Sequence, residues 1–490
     1  MRPTQTQIAE ILSQNFEMLI DGQTVAASDA AVLASQNPAT GERLGLIPDA
    51  SVDDIERAVK AARCGQRIWA ALSYGERRDA VLKVAELLRR HAEAFGILDT
   101  LETGSLFSAM HNDAIYAASA IDYMAAIGFE VKGESTQLDG NVHYTRLEPY
   151  GVVLRLLPFN HPLYTTATAL AAPLLMGNSV ILKPSPYSSM SSLLLGRLIA
   201  SIFPPGVVTI ITGSNERAAR GLVAHPGIDR ISLIGSTAAG VAVMKSAADR
   251  LLPLTLELGG KNPLIVLSDA DMGVAVDTAI AGMNFGWQSA SCGSTSRILV
   301  HKSRRAEMEA RLVERLSAIR VGDPFDADTE MGAISFKSLY DRVMDYINHG
   351  KREGARLAVG GERPADADPN GLFVRPALFV DATPAMKIAR EEIFGPIITM
   401  IDWDDWNAMI DTVNELPFGL TASIIGQDID VVNRTVGAIQ AGYVEINGPV
   451  SWALGSPFGG LKQSGFGREG NIEELLSYTY TKSVNVRVRG

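Results

Sequence analysis

The sequence predicts an α/β protein with two units of alternating strand and helix and a small strand-rich extension. Three observations predict it. Between residues 152 and 270, short apolar runs alternate with stretches of helical periodicity, the pattern of a parallel sheet with crossover helices. A second alternation of the same kind runs from 297 to 446. Two further pieces, 134–155 and 478–488, alternate in the strand manner and have little core of their own.

Taken in chain order, residues 1–125 read as mainly helical. Segments 52–71 and 75–95 place apolar side chains at helical spacing, and Asp49 and Ser51 stand where a cap belongs. Asp139-Gly140 is a hairpin turn signal. Strands follow at 152–157, 180–182, 207–211, 231–234 and 264–267, with helices at 163–175, 188–202, 215–223 and 238–249. The second unit is expected to hold strands at 297–301, 373–380, 397–402, 421–425 and 442–446, and helices at 304–319, 406–415 and 429–439.

Bulk properties narrow the function classes. A chain of 490 residues exceeds one ordinary core and implies two or three domains. The net charge is −11 with no basic run to offset it, which argues against a nucleic-acid partner. Residues 1–16 lack a basic segment followed by an apolar one, so no secretory signal is expected. The most apolar stretch, 163–182, is interrupted by Pro173, Asn178 and threonines, so it is not read as a membrane span of about 20 apolar residues. The two cysteines, Cys64 and Cys292, make no disulfide framework and suit a reducing cytoplasm. Seven histidines without HExxH or paired Cys/His spacing give no metal site.

Five segments carry residues suited to chemistry. At 231–240, a strand ends at Gly235, and Ser236 and Thr237 open a helix whose free amides favour an anion. An ordinary capped junction has the same residues. Lys183 ends a strand, and ligands of open α/β sheets sit at strand carboxyl ends, although a solvated lysine fits equally. Glu257 lies in an apolar strand broken by Gly259-Gly260. Burial would raise its pKa towards that of a general base, and a solvent-facing glutamate is the alternative. Cys292 lies among Ser, Gly and Thr, where backbone amides can stabilise a thiolate or an oxyanion. Cys64, within an amphipathic helix, reads instead as a buried hydrophobe. Asn160, fixed between Pro158 and Pro162, offers a neutral amide donor for an oxyanion. His161 has no apparent acidic partner and reads as pocket lining.

Together the segments resemble the aldehyde dehydrogenase family over nearly the whole chain. The matching pieces stand in family order: Pro158-Phe-Asn-His-Pro, 177–185, Pro205-Gly206, Gly235-Ser-Thr, Leu256-Glu-Leu-Gly-Gly-Lys-Asn-Pro263, Ser291-Cys-Gly-Ser-Thr-Ser-Arg297, Glu391-Glu-Ile-Phe-Gly-Pro396 and 457–469. The resemblance implies a Rossmann-like cofactor domain (1–128, 148–257 and 459–475), a catalytic α/β domain (258–458) and oligomerisation strands (129–147 and 476–490). It implies a homodimer or homotetramer, a small-molecule aldehyde as substrate, and NAD or NADP as cofactor. By position, Cys292 matches the nucleophile, Glu257 the base that hydrolyses the thioester, and Asn160 the oxyanion donor. Lys183, Gly235, Ser236, Leu157, Pro158, Phe159, Pro186, Leu258, Glu392 and Phe394 match cofactor contacts. His161, Thr165, Thr168, Trp287, Ser291, Trp452 and Phe458 match the aldehyde tunnel.

Relatives that pass the acyl group to coenzyme A generally lack the glutamate that Glu257 matches, so a free acid is the implied product. Three departures stand out. Ser289 and Ala290 replace the family's usual Gly-Gln before the cysteine, which bears on the loop's packing. Phe159 replaces a tryptophan, and Pro186 replaces the glutamate that bonds the ribose 2′-hydroxyl in NAD-preferring relatives. The choice between NAD and NADP therefore stays open. No Lys or Arg falls among the tunnel residues, which favours an aromatic or medium-chain aliphatic aldehyde over a carboxylate-bearing one. The competing readings are a catalytically silent nucleotide-binding member and a thiol esterase.

Overall fold

The computed structural model describes residues 2–487, apart from the side chain of Leu138. The first alternating unit forms an eight-stranded sheet. Its parallel centre runs Val208–Ile210, Ser179–Lys183, Val152–Leu156, Arg230–Ile234, Leu254–Glu257. Met18–Ile20 and Gln23–Val25 add to one edge and Gly465–Phe466 to the other, all antiparallel. Strands 152–156 and 179–183 are buried along their whole length, as apolar strands covered by helices on both faces must be.

The second unit is a seven-stranded sheet in the order Arg356–Val359, Ala377–Val380, Ile397–Trp403, Arg297–His301, Pro263–Val266, Thr421–Ile425, Tyr443–Ile446. All neighbours are parallel except the first pair. A third, antiparallel sheet joins Ser135–Leu138, Asn141–Pro149 and Thr479–Val486. Its hairpin turns at Asp139 and Gly140, both at positive φ (52° and 76°), the conformation that favours Asp-Gly in a two-residue loop.

Several expectations needed correction. The first fifty residues hold four short strands, Met18–Ile20, Gln23–Val25, Val32–Gln36 and Arg43–Pro48, beside one helix, Gln5–Leu12. These runs are too short to show a period, and Leu19 finds its partner far away in Ile210. The helix expected at 75–95 divides at His91 into Tyr74–Arg90 and Ala92–Thr103. The strand expected from 373 begins at Ala377, after Pro376, which cannot donate to a ladder. Helix Lys337–Arg352 and strand Arg356–Val359 were not anticipated. Cys64 is exposed rather than buried. The C-terminal strand ends at Val486, and position 488 lies outside the described residues. Among the described residues no helix is long and apolar enough to cross a membrane.

One buried cation ties the first sheet to the C-terminal segment. Arg155, 2% exposed, projects from a central strand. It pairs with Glu469 at 2.9 Å, donates to Ser232 Oγ at 2.8 Å and meets the Tyr478 hydroxyl. Glu469 is paired through its backbone with Phe458, so the ion pair ties that segment to the first sheet. Arg155→Met should lower unfolding free energy by about 3 kcal/mol in denaturant titration, because it strands a carboxylate beside an apolar core.

Candidate active site

The site is built around the crossing from one sheet to the other. Strand Leu254–Glu257 ends the first sheet's parallel run, and Pro263–Val266 enters the second. The five residues between them face both units. Leu258 N donates to Ser464 O at 3.0 Å, and Gly260 N donates to Glu392 Oε1 at 3.0 Å. Asn262 Nδ2 donates to Cys292 O at 2.6 Å and Ser294 O at 3.1 Å, while its Oδ1 accepts from Thr421 N at 3.1 Å. A Cβ on Gly259 would stand 2.0 Å from Glu392 Oε2, so a larger residue there would displace the carboxylate that accepts from Gly260 N.

Glu257 is 6% exposed, and neither carboxylate oxygen accepts a hydrogen bond among the described residues. Burial pushes its pKa well above the ordinary carboxylate range, and Glu469 raises it further. The Cys292 thiol is pushed up to about 12, first by burial and then by the charges of Glu257 and Glu392. The pocket therefore resists a second negative charge.

The loop before Cys292 is held from several sides. Asn284, Gln288 and Ser289 all have positive φ (55°, 51° and 60°). Ser289 thus occupies a backbone conformation natural to glycine, the residue its relatives carry there. The loop still closes: Ser289 N donates to Asn284 O at 3.1 Å and Gln288 Nε2 to Ser105 Oγ at 3.1 Å. Ala290, 2% exposed, offers its carbonyl to Asn160 Nδ2 at 2.7 Å. That bond fixes the Asn160 amide and leaves its second N–H available.

A single cavity of about 1020 Å³ joins these groups to the ends of the first sheet's strands. Its wall includes Cys292, Glu257 and Asn160 together with Leu157, Pro158, Phe159, Lys183, Pro186, Gly235, Ser236, Leu258, Glu392 and Phe394. Ser236 caps helix Thr237–Ala248, accepting from Ala239 N at 3.3 Å, so its hydroxyl proton is free for a ligand. Lys183, 3% exposed, is pushed down to about 8 by burial, and its ammonium has only a 3.5 Å bond to Asn215. Phe159 stands edge-on between Phe336 and Phe394. A helix N-terminus, a buried ammonium and an acceptor carboxylate on Glu392 along one cleft suit a pyrophosphate flanked by two riboses.

At the other end, His161, Thr165, Thr168, Trp452 and Phe458 line the cavity, whereas Trp287 and Ser291 do not. Trp287 packs behind His161, with ring centres 5.1 Å apart. His161 is not partnerless: its Nδ1 lies 2.7 Å from Asp113 Oδ2. Asp113 reaches it from helix Phe107–Ile127, a contact that no local spacing announces. Tyr116, Tyr164 and Tyr443 also line this end and were missed. Tyr116 and Tyr443 stand apart from every motif, whereas Tyr164 lies two residues past Pro162. This end of the cavity is rich in aromatic side chains.

The aldehyde dehydrogenase family model matches residues 25–484. The chain is 39% identical to the aldehyde dehydrogenase tropH of Talaromyces stipitatus, covering 100% of this chain and 97% of that one. It is similar to the NAD+ complex of aldehyde dehydrogenase from Bacillus cereus, with TM-score 0.96, 33% identity and 100% of both chains covered. It also resembles a point mutant of the P. syringae indole-3-acetaldehyde dehydrogenase AldA in complex with NAD+ and IAA, with TM-score 0.95, 29% identity, and 98% and 99% coverage. The chain belongs to the aldehyde dehydrogenase family, enzymes that oxidise aldehydes with a nicotinamide dinucleotide.

Asn262 is the residue whose role the motif did not reveal. Asn262→Ala should unpin the Cys292 carbonyl and orphan Thr421 N. Denaturant titration should show a loss of about 2 kcal/mol, with slower alkylation of Cys292 by iodoacetamide as its loop loses order.

Proposed function

We propose that this chain oxidises an aromatic or medium-chain aliphatic aldehyde to the free acid with NAD(P), through a covalent intermediate on Cys292. The observation that carries the reading is the single cavity that joins Cys292, Glu257 and Asn160 to the dinucleotide-suited cleft. The Cys292 sulfur adds to the carbonyl carbon, the C=O π pair moves onto oxygen, and the thiol proton leaves to solvent. The developing oxyanion is met by the free N–H of Asn160 and the Cys292 backbone amide. NAD(P), held by Lys183, Ser236 and Glu392, would supply the hydride acceptor needed to oxidise this adduct to the thioester. Glu257 then takes a proton from water, the hydroxide adds to the thioester, and C–S cleavage releases the acid and restores Cys292.

Lys183, Ser236 and Glu392 are the residues assigned to ribose and phosphate contacts, with Phe394 and Phe159 packing beside them. Pro186 places no carboxylate there, so both nucleotides are to be tried. We assign residues 1–128, 148–257 and 459–475 to the cofactor domain and 258–458 to catalysis. Residues 129–147 and 476–490 are assigned to subunit association, in a cytoplasmic homodimer or homotetramer. The third sheet supports the last assignment by its two open edges, Ser135–Leu138 and Thr479–Val486, which need cover.

The test is reduced-cofactor absorbance with benzaldehyde, hexanal and succinic semialdehyde. Benzaldehyde and hexanal should exceed succinic semialdehyde, and Cys292→Ala should abolish the signal. The reverse substrate order, or turnover by Cys292→Ala, contradicts the reading. Glu257 acts as a base only when deprotonated, and its pKa is raised. Thioester hydrolysis should therefore fall as pH drops through a value above the ordinary carboxylate range. Single-turnover hydrolysis that stays flat down to about pH 4.3, the usual glutamate pKa, contradicts the assignment.

A further inference from the structure

His161 stands among aromatic side chains at the far end of the cavity, with Thr165 and Thr168 nearby. Around it, Tyr116 stacks on Tyr164 with centres 5.9 Å apart, Trp452 lies 4.9 Å from Phe458, and Trp452 tilts over His161 at 6.2 Å. Such flat faces suit a flat ring. No cation belongs to this aromatic group, so a carboxylate on the substrate has no partner there.

Asp113 fixes the imidazole. Its Oδ2 takes His161 Nδ1 at 2.7 Å and the Trp287 indole N–H at 3.3 Å, and the His161 and Asp113 side chains are only 15% and 13% exposed. A carboxylate oxygen only accepts, so Nδ1 donates to it, and in the neutral form of the ring Nε2 keeps a lone pair. Nε2 has no hydrogen bond among the described residues, and His161 lines the cavity. Burying an imidazole and a carboxylate in a slot meant for hydrocarbon alone would carry a desolvation cost with no return. A donor on the substrate would answer Nε2. His161 lines the same cavity as Asn160 and Cys292, so a hydroxyl on the ring of a bound aldehyde is the donor to test.

We propose that His161, positioned by Asp113, accepts a hydrogen bond from a ring hydroxyl of the aldehyde, making hydroxybenzaldehydes the preferred substrate class. This rests on the aldehyde-oxidising reading above. The test compares 2-, 3- and 4-hydroxybenzaldehyde with their methoxy counterparts, which cannot donate, and with benzaldehyde. For at least one ring position, wild-type kcat/KM should favour hydroxyl over methoxy by about tenfold, as expected where a site holds an unpaired polar atom. His161→Phe should bring that ratio close to one. Asp113→Ala should lower the same ratio, which a merely structural loss would not do, and His161→Gln should recover part of it. Calorimetric binding of the same aldehydes to Cys292→Ala gives the ratio without turnover and without altering position 161. Ratios within twofold of one at all three positions, or a ratio unmoved in His161→Phe, overturn the proposal. If hexanal is oxidised and no benzaldehyde is, the aromatic reading falls as well. If hydroxy and unsubstituted benzaldehydes are oxidised alike, only the role of His161 falls.

Discussion

Residues 257–262 cross from one sheet to the other, and the site depends on that crossing. In six residues the chain must end a buried strand, turn within reach of Glu392, and begin a second buried strand. The backbone groups freed by the turn are satisfied by Ser464 and Glu392, and the Asn262 side chain donates to the Cys292 carbonyl. The same bonds set Glu257, Glu392 and Cys292 relative to each other. A side chain on Gly259 would collide with Glu392, so the close approach and the chemistry share one requirement.

Burial then sets the electrostatics. Desolvation pushes Glu257, Cys292 and Glu392 each towards its neutral form, although Cys292 and Glu392 keep part of their surface exposed. Lys261, next in the crossing, is pushed down to about 7 and has no hydrogen-bonded partner for its ammonium among the described residues. A site so short of compensating charge has its polarity directed at a bound ligand rather than at itself. Both shifts leave the Cys292 thiol and the Glu257 carboxyl less readily ionised than in water.

Much of this was legible in the sequence, for identifiable reasons. Strand–helix alternation from 152 to 270 is strong because buried parallel strands read as unbroken apolar runs. Glu257, Lys183 and Ser236 were legible because each sits where a strand or helix ends, and glycine or proline marks that end. The first fifty residues were not, because three-residue strands such as Gln23–Val25 carry no period and exist only through distant pairing. Asp113 and Tyr116 were hidden for the same reason: their helix, Phe107–Ile127, meets the cavity only in three dimensions. Ser289 and Ala290 looked like a weakness of the nucleophile loop. The loop absorbs them, with Ser289 adopting glycine's backbone angles and the Ala290 carbonyl orienting Asn160.

The central claim is that Cys292 carries the acyl group and Glu257 discharges it. It is tested most directly by intact-protein and peptide mass spectrometry of Glu257→Gln, mixed with benzaldehyde and NAD or NADP and quenched in acid. The account predicts a benzoyl adduct on the Cys292 peptide, formed with one equivalent of reduced cofactor and persisting after that signal stops. A variant that reduces cofactor without accumulating an adduct, or an adduct on any other residue, would contradict it.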